Sequence, residues 1–405
     1  AVDTEHGKFV KYRTFKAVPK DKVPKNAKVL SSTWAMKKKA NGTFRARLNA
    51  RGFEQIDGEH YEEDDKAAPV VNDITIRIVF VLMIMASLYG HLLDVAGAFL
   101  NGRFKNGEVL YMGVPEGFEK FYPPNVLLLL LRTIYGLKQA ALQYWREMQR
   151  AFGYLKYERN KADPCLYFKW INNQLTIWLT WVDDCLTVGR KHIVLAEVEK
   201  MKRLYDCDDV GELKEYVGCK VDRTEDSIKL TQPVMIQSFR DEFDLDFSGH
   251  QPRTPGEPGS VLQKGEERNL MPKDEQKKFR KGVGKLLHMM RWTRPEILNS
   301  VREVSRYMSG AIESHMLAMK RIMKYVATTP NRGLTLKPKR KWNGSPDFEF
   351  ELTGKSDSEY AKDESRRSVN GWSTFLEGAP ISMRSKMMPI VALSVTEAEL
   401  FSAVL

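Results

Sequence analysis

The chain has 405 residues, of which 42% are hydrophobic and 29% charged, a balance that is typical of a folded soluble protein and excludes wholesale disorder. A chain of this length usually forms two or three domains. Lysine and arginine exceed the acidic residues by 12, and such a surplus favours a polyanionic partner, most often nucleic acid.

Neither membrane insertion nor secretion is predicted. The longest uninterrupted apolar run, residues 78–86, is far shorter than the roughly 20 residues that span a bilayer. The first residues contain no apolar signal region, and since they lack an initiator methionine we expect an internal piece of a longer protein. The four cysteines show no CxxC spacing, which favours buried reduced thiols over a zinc site or a disulfide framework: Cys165, Cys185, Cys207 and Cys219.

A basic hairpin and a buried strand are predicted in the first quarter of the chain. Residues 37–51 hold six cations and no acidic residue, and Asn41-Gly42 within them predicts two strands joined by a turn. Further on, an apolar segment at 74–89 is followed by residues 92–95 (LLDV), which have the pattern of a short buried strand containing a carboxylate.

Helices and two composition breaks organise the remainder. Apolar residues at helical spacing predict helices around 142–152 and 194–205, so residues 30–246 indicate an α/β or α+β domain. Residues 248–260 are rich in Pro, Gly and Ser, which predicts a linker, and apolar stripes predict helices beyond it. A second break at 338–346 precedes a final strand-like piece.

The most informative dipeptide is Asp183-Asp184, because two ionised carboxylates that repel each other lie between two apolar β-rich arms. A hairpin that buries both arms holds such a pair at its tip, at an electrostatic cost that a divalent cation offsets. The alternative is an ordinary exposed turn. Neither Asp64-Asp65 nor Asp208-Asp209 has apolar β flanks on both sides, so only the 183–184 pair has the setting of a metal turn.

Asp94 supplies a further carboxylate on a predicted buried strand. One such aspartate together with an Asp-Asp hairpin provides the oxygen ligands that two Mg²⁺ ions need for nucleotidyl transfer. The spacing of 89 residues between Asp94 and Asp183 does not by itself show whether these aspartates form such a metal site.

Twelve short motifs in one order decide whether these carboxylates belong to such a site. Between the carboxylates the chain reads DVAGAFLNG (94–102), YMGVPEGF (111–118), YGLKQA (135–140), DPCLY (163–167) and WVDD (181–184). The order continues with RARL (45–48), RGF (51–53) and APV (68–70) upstream, and with YVG (216–218), TRPE (293–296), SD (356–357) and ALSVTEAE (392–399) downstream. This succession resembles the reverse transcriptase of Ty1/copia-type LTR retrotransposons over nearly the whole chain.

The resemblance implies an α+β multidomain fold, a right-hand polymerase followed by a connection and a truncated RNase H-like α/β piece. Residues 1–246 are then fingers and palm, 247–350 thumb and connection, and 351–405 the RNase H-like domain. The polymerase triad and its metal ligands fall on three aspartates, with Mg²⁺ as cofactor and Mn²⁺ as the alternative ion: Asp94, Asp183 and Asp184.

Five further residues match the family's nucleotide-binding positions. Phe99 matches the aromatic residue that excludes a 2′-hydroxyl, although its spacing alone favours a core aromatic. Arg47 matches the cation that contacts the triphosphate, and a solvated basic hairpin is its alternative. Tyr135, Gly136 and Lys138 fall on the loop beside the nucleotide and template base.

The resemblance also covers the second half of the chain. Tyr216, Val217 and Gly218 match the primer grip, while Asp357 and Glu399 match the first two RNase H carboxylates. The remaining RNase H carboxylates are expected beyond residue 405, so RNase H cleavage is not expected of this chain. The helical region 262–335 resembles the thumb and connection, and a run of cations near its start either tracks a duplex backbone or forms a solvated face: Lys277, Lys278, Arg280, Lys281, Lys285, Arg291 and Arg294.

We therefore expect an RNA-directed DNA polymerase that acts on dNTPs with an RNA template, a DNA primer or product, and an RNA/DNA hybrid as partners. A dimer or other parts of the Pol polyprotein are further expected partners, and a membrane is not. The expected location is intracellular, in cytoplasmic virus-like particles and in the nucleus. Two rivals remain at this stage, a catalytically decayed nucleic-acid-binding relic and a nucleotidyltransferase that works without a template. Departures from the family at Gly97, Ala141-Leu142 and Trp181 leave all metal ligands in place.

Overall fold

Alternating short strands and amphipathic helices form along the chain, in a computed structural model that describes residues 1–38, 42–105, 107–361 and 365–404. The helices are α1 (Val2–Lys11), α2 (Asp73–Met85), α3 (Ala140–Tyr154), α4 (Lys191–Leu204), α5 (Pro233–Glu242), α6 (Lys273–Trp292), α7 (Leu298–Ser305), α8 (Glu313–Thr328) and α9 (Val395–Val404). The strands are β1 (Phe15–Pro19), β2 (Val29–Leu30), β3 (Ser32–Lys38), β4 (Phe44–Ala50), β5 (Tyr89–Val95), β6 (Leu110–Met112), β7 (Val126–Leu130), β8 (Glu158–Arg159), β9 (Leu166–Ile171), β10 (Gln174–Trp181), β11 (Asp184–Gly189), β12 (Cys207–Glu212), β13 (Glu215–Tyr216), β14 (Cys219–Arg223), β15 (Ile228–Thr231), β16 (Leu334–Leu336), β17 (Leu352–Glu359), β18 (Val369–Leu376) and β19 (Ala379–Met387).

Packing divides the chain into two units that are discontinuous in sequence. The first unit comprises residues 1–71 and 90–212, and the second comprises residues 72–89 and 213–405. The boundary after residue 212 lies inside the segment 1–246 that is predicted as fingers and palm. Because packing groups residues by contact and not by role, the three-part functional scheme stays a prediction.

The first unit is built on a six-stranded sheet in the order β12-β5-β11-β10-β9-β8. α3 closes one part of its core, where the Phe152 ring stacks on Tyr167 at 4.1 Å and lies 5.7 Å from the buried Trp178 ring. α4, the helix that the apolar spacing of 194–205 predicts, packs along β11. These contacts fix the strands that carry the predicted triad.

A basic hairpin and a smaller sheet complete the first unit. β3 and β4 pair antiparallel with Trp34 opposite Leu48, which confirms the two strands predicted over 37–51, whereas Asn41 of the predicted turn lies outside the described residues. A four-stranded sheet has the order β1-β7-β6-β2, and α1 covers its core through the buried Phe9, whose ring stacks on Phe15.

The second unit joins a helical bundle to two sheets. α5, α6, α7 and α8 share one apolar core that includes Phe279, Met319 and Met323. The sheets have the orders β13-β14-β15-β16 and β17-β18-β19, and α9 packs on β17 and β18. α2 is apolar on nearly every side and is buried against β15, β16 and β19 of this same unit.

Two simpler expectations, on the cysteines and on the stretch 248–260, are also met. All four cysteines are free thiols, and three of them are buried. The Pro- and Gly-rich stretch 248–260 contains neither helix nor strand. Within the described parts of the chain, no helix combines the length and the apolar character that crossing a membrane requires.

The loop after β7 approaches the end of β4 closely enough to exclude a side chain. The Ala50 amide donates a hydrogen bond to the Tyr135 carbonyl at 2.8 Å. The next residue, Gly136, has φ +90°, and a Cβ there stands 2.2 Å from the Ala50 carbonyl oxygen. Both the left-handed backbone and the contact therefore require glycine at this position.

We expect Gly136→Ala to lower the free energy of unfolding by roughly 2–4 kcal/mol, because the methyl group collides with backbone atoms that cannot rotate away. Gly153→Ala is the matched control, since that glycine is exposed on α3 and its added Cβ meets nothing within 4 Å. The control should be neutral or stabilising by up to about 1 kcal/mol. Urea denaturation of both variants measures the difference, and equal stabilities would contradict the assigned loop geometry.

Candidate active site

The three predicted triad carboxylates come together at one end of the six-stranded sheet, where the inner strand β5 ends and its neighbour β11 begins. This end of the sheet is called the carboxylate edge below. Asp94 lies one residue before the end of β5, and β11 is the neighbouring strand. The amide of Val95 donates a hydrogen bond to the Asp183 carbonyl oxygen at 2.9 Å, which ties the end of β5 to the tip of the β10–β11 hairpin. The predicted hairpin with buried arms is therefore present, and its tip carries Asp183 and Asp184.

The hairpin tip is a two-residue turn made of Val182 and Asp183, since Trp181 pairs with Asp184. Val182 has φ +55°, a region that β-branched residues rarely adopt, and its side chain is exposed. Strain of this kind persists only where the surrounding structure enforces it, and it is frequent at functional sites. Here the long buried arms of β10 and β11 hold the turn.

Burial and mutual repulsion raise the pKa of Asp94. Loss of hydration is the largest cause, followed by the negative charges of Asp183 and Asp208. The cations Arg45 and Arg47 of β4 act in the opposite direction and lower this pKa. The basic hairpin of the first unit therefore places its positive charges near the carboxylate edge.

The pKa of Asp184 is raised to about 6, again by burial first and then by the charges of Asp183 and Asp94. A carboxyl group with such a pKa is costly to ionise at neutral pH in the absence of a counter-ion. The cluster thus has the electrostatic character of a cation site.

The donor chemistry fits a divalent cation, although the carboxylates do not form a complete protein cage. Among the described residues, no three or more His, Cys, Asp or Glu side chains are grouped as ligands of one ion. Mg²⁺ is usually bound through only one or two carboxylates, together with water and substrate phosphates, so the incomplete cage suits Mg²⁺ better than a structural ion. Asp94, Asp183 and Asp184 are the residues that would hold it.

Arg47, Tyr135 and Phe99 form a layered group beside the carboxylates. The guanidinium of Arg47 lies 5.1 Å from the centre of the Tyr135 ring, and that ring meets Phe99 edge-to-face at 5.5 Å. The Arg47 Nε is buried and makes no hydrogen bond within the described residues. Phe99 also contacts Tyr144 at 6.3 Å and is partly buried, so both its predicted role and the core alternative remain open.

Lys138 takes part in a different set of contacts. Its ammonium group donates a hydrogen bond to the Tyr61 hydroxyl at 2.5 Å and lies 4.2 Å from the centre of that ring. Its amide donates to Gln55 Oε1 at 2.8 Å. Lys138 therefore braces the loop after Gly136 against the segment that follows β4, and a direct contact with nucleotide stays a prediction.

Two residues that shape the surroundings of the triad, Asp208 and Tyr12, were not predicted from the sequence. Asp208 pairs with Asp94 across β12 and β5, although the Asp208-Asp209 pair has the sequence setting of an ordinary exposed turn. Tyr12 donates a hydrogen bond to the Ala96 carbonyl at 2.8 Å, and its ring lies 2.9 Å from the place where a Cβ on Gly97 would stand. The departure from the family at Gly97 is thus matched by an aromatic ring that fills the space.

The predicted primer-grip residues form the tip of a second hairpin, in the second unit. Tyr216 pairs with Cys219, and the two turn residues Val217 and Gly218 both have positive φ, the signature of a type I′ turn. Tyr216 is buried with its ring 6.4 Å from Phe80 of α2. The assignment as primer grip stays a prediction.

The two RNase H-like carboxylates lie on adjacent elements. Glu399 of α9 accepts hydrogen bonds from the amide and hydroxyl of Ser358 at 3.2 and 2.8 Å, and Ser402 donates to the Asp357 carbonyl at 2.9 Å. Asp357 is exposed on β17, which is the edge strand of the three-stranded sheet. Their catalytic role also stays a prediction.

The predicted row of thumb cations is largely neutralised by ion pairs. Lys281 and Lys285 bind Glu242 of α5, and Lys278 binds Asp244. Arg294 is only 1% exposed, because its guanidinium binds Glu296 and the carbonyl and hydroxyl oxygens of Thr329. The interpretation of Arg294 as a duplex contact is therefore wrong, and the solvated-face alternative accounts for much of the row.

The family of the chain follows from its match to known proteins. The family model described as "Reverse transcriptase (RNA-dependent DNA polymerase)" matches residues 12–254, which include all three triad aspartates. The chain therefore belongs to the reverse transcriptase family.

Curated relatives agree with this assignment. The chain is 31% identical to the retrovirus-related Pol polyprotein from transposon TNT 1-94 of Nicotiana tabacum over its entire length, and 30% identical to that from transposon RE1 of Arabidopsis thaliana over 93% of its length. The predicted copia-type relationship is confirmed. The chain spans only 30% and 25% of the lengths of these two polyproteins.

Solved structures confirm the predicted α+β polymerase fold. The structure of a foamy viral protease-reverse transcriptase in complex with double-stranded DNA matches 98% of the chain and 57% of its own chain, with a TM-score of 0.51 and 11% identity. A second structure of that viral protein, in complex with an RNA/DNA hybrid, matches with the same TM-score and 12% identity. At such identities the likeness concerns the fold alone.

The raised pKa of Asp184 predicts a specific dependence of stability on pH. Since its pKa in the folded state, about 6, lies above the unfolded value near 3.8, ionisation of Asp184 costs the folded state free energy above pH 6 and costs nothing below about pH 4. In a chelator, Asp184→Asn should therefore exceed the wild type in stability by about 1–2 kcal/mol at pH 7, and by nothing at pH 4.

Thermal unfolding across this pH range measures the effect, with Asp21→Asn as the control that removes one exposed carboxylate elsewhere. Adding Mg²⁺ at pH 7 should stabilise the wild type more than Asp184→Asn. A stability difference that does not change between pH 4 and 7 would contradict the assigned repulsion.

Proposed function

We propose that this chain is the RNA-directed DNA polymerase of a copia-type retrotransposon and that it extends primers by two-metal nucleotidyl transfer. The observation that carries the proposal is the convergence of Asp94, Asp183 and Asp184 at one sheet edge, with the cations of β4 facing them. This combination supports chemistry in which a metal-bound triphosphate is held between carboxylates and guanidinium groups.

Asp94 and Asp183 are the ligands we assign to the cations, with Asp184 beside them. Divalent ions held by these carboxylates would supply the charge that activates the primer 3′-oxygen for attack on the α-phosphate and that stabilises the departing pyrophosphate. The protein's own contribution is positional. The Val95–Asp183 hydrogen bond and the buried arms of the hairpin keep the carboxylates together despite their repulsion.

The nucleotide is oriented by the layered group next to this edge. Arg47 binds phosphate oxygens through a guanidinium whose Nε makes no hydrogen bond within the described residues, and the Tyr135 ring beneath it fixes the direction of that group. Phe99 lies at the edge of that ring, where a side chain can limit the room around the sugar. Lys138 holds the neighbouring loop through Tyr61.

The partners in this proposal are an RNA template, a DNA primer and its hybrid product, and dNTPs. The excess of 12 positive charges supports a polyanionic partner. Four free thiols, of which three are buried, support the intracellular location, in cytoplasmic particles and in the nucleus, since reducing compartments keep thiols free.

One experiment separates the proposal from its rivals. Incorporation of labelled dNTPs is measured with Mg²⁺, with Mn²⁺ and in chelator, each with a primed RNA template, a primed DNA template and an unprimed single strand. Metal-dependent extension on primed templates supports the proposal. Extension without a template indicates a template-independent transferase, and binding without extension indicates a decayed relic.

We expect Asp183→Asn to abolish primer extension while the fold remains intact. The change removes an anionic ligand, and it also relieves repulsion with Asp184, so the melting temperature should stay level or rise. Primer extension and thermal unfolding are measured on the same preparation. Extension near the wild-type rate would exclude Asp183 from the metal site.

Phe99→Val tests how sugar selectivity arises. If Phe99 limits the room at the sugar, the variant should incorporate ribonucleotides more readily relative to deoxyribonucleotides. If Phe99 serves only to pack against Tyr135 and Tyr144, the variant should lose about 1–3 kcal/mol of stability without a change in selectivity. The ratio of the two kcat/KM values, together with a denaturation curve, decides between these outcomes.

A further inference from the structure

Two adjacent aspartates on the outermost strand of the six-stranded sheet lie on opposite faces of that sheet. β12 runs antiparallel to β5, with Asp208 opposite Asp94 and Asp209 opposite Leu93. Residues that stand opposite each other across antiparallel strands share a face, and successive residues of one strand alternate between faces. Asp208 therefore shares the face of Asp94, and the Cβ atoms of such a pair are usually about 4.5–5.5 Å apart.

A β-bulge determines which of the two aspartates stands opposite Asp94. The register of β12 against β5 shifts between Asp209 and Gly211, so that Val210 is an extra residue on β12. Gly211 has φ +90°, the left-handed backbone that bulges with a glycine use. Without the extra residue, Asp209 would stand opposite Asp94 and Asp208 would lie on the other face. The bulge therefore brings Asp208, and not its neighbour, to the carboxylate edge.

The two aspartates also differ in how far their charges are neutralised. His91 donates from Nε2 to Asp209 Oδ1 at 2.7 Å, and Lys202 donates to Oδ2 of the same residue at 3.3 Å. Asp208 is exposed, and its carboxylate makes no hydrogen bond or ion pair among the described residues. Its charge acts on Asp94 together with that of Asp183. A fourth carboxylate without a counter-ion thus adds to the negative field at the carboxylate edge.

Such a carboxylate has opposite effects before and after a cation binds. Like charges directly opposite each other on neighbouring strands repel, so the pair of Asp208 and Asp94 is unfavourable as long as no cation is bound. An ion held by Asp94 would lie within one Debye length of Asp208, about 10 Å at 0.1 M salt, and would attract it. Binding therefore replaces a repulsion by an attraction, and the affinity for the ion rises.

We propose that Asp208 raises the affinity of the carboxylate edge for a divalent cation, acting through its charge as a fourth carboxylate beside the triad. The inference rests on the proposed function, because it takes Asp94, Asp183 and Asp184 as the ligands. It adds that the carboxylate edge takes up a cation from solution before the nucleotide arrives. Asp208 then sets the concentration of free metal that the polymerase requires.

The test is the binding of Mn²⁺ to the full chain without nucleotide, primer or template, measured from the electron paramagnetic resonance signal of the free ion. Asp208→Asn should weaken binding roughly three- to tenfold at about 0.05 M KCl, as expected when one charge acts through water on a divalent ion. Asp208→Lys should weaken binding further. Asp208→Glu keeps the charge and should stay within about twofold of the wild type.

Two comparisons separate an effect of charge from a structural one. The difference between the wild type and Asp208→Asn should fall below about twofold at about 0.5 M KCl, because salt screens exposed charges. Glu212→Gln is the matched control, since Glu212 is an exposed carboxylate of the same strand that pairs with His91 on the far side of the bulge. It should bind Mn²⁺ as the wild type does. Thermal unfolding verifies the fold of every variant.

Asp183→Asn shows whether the measured ion binds at the carboxylate edge. Binding that persists at full affinity in this variant comes from elsewhere and would overturn the proposal. The same holds for wild-type affinity in a folded Asp208→Asn, and for a wild type that binds no Mn²⁺ without nucleotide.

Primer extension is assayed separately, so failure of this proposal and failure of the proposed function can be told apart. A chain that binds Mn²⁺ with the expected dependence on Asp208 but extends no primer refutes the polymerase function alone. A chain that extends primers, with a Mn²⁺ affinity that does not depend on Asp208, refutes only the role of Asp208.

Discussion

Three carboxylates are held together at one end of the six-stranded sheet against their mutual repulsion. Much of the packing of the first unit can be understood from the contacts that hold them. The repulsion and loss of hydration raise the pKa of Asp94 and Asp184. Long buried arms hold the hairpin tip, even with Val182 in a left-handed conformation. The cations of β4 offset part of the charge, and Tyr12 braces the turn after β5. The hydrogen bond from the Val95 amide to the Asp183 carbonyl oxygen adds to what the burial of these arms provides.

The second unit shows the opposite imbalance of charge. There the buried carboxylate of Asp73 is shared by three guanidinium groups, and the helices and strands that carry them come from distant parts of the sequence. Buried ion pairs contribute little net stability, because desolvation offsets their attraction. Their value lies in orientation: Arg77 joins α2 to β19 and α6 through carbonyl contacts that an apolar side chain could not make.

Sequence alone predicts the parts that depend on local pattern. The Asp183-Asp184 hairpin follows from two apolar arms around a polar pair, and α3 and α4 follow from apolar residues at helical spacing, because those signals are contained in a few adjacent residues. The position of Asp208 opposite Asp94 could not be predicted, since strand order in a sheet is a tertiary property. For the same reason Arg294 looked like a surface cation, although Glu296 and Thr329, the residue after α8, enclose it. Cation-rich patterns do not reveal which charges are already paired.

The division of the chain into two interleaved units has a consequence for biosynthesis. α2 belongs by packing to the second unit, yet it is translated before most of the first unit and well before the strands and helices that bury it. At ordinary elongation rates of about 5–20 residues per second, this strongly apolar helix is synthesised tens of seconds before the last of the strands that bury it. The nascent polypeptide therefore exposes an apolar segment through most of its synthesis, and such a surface is prone to aggregation until its partners are made.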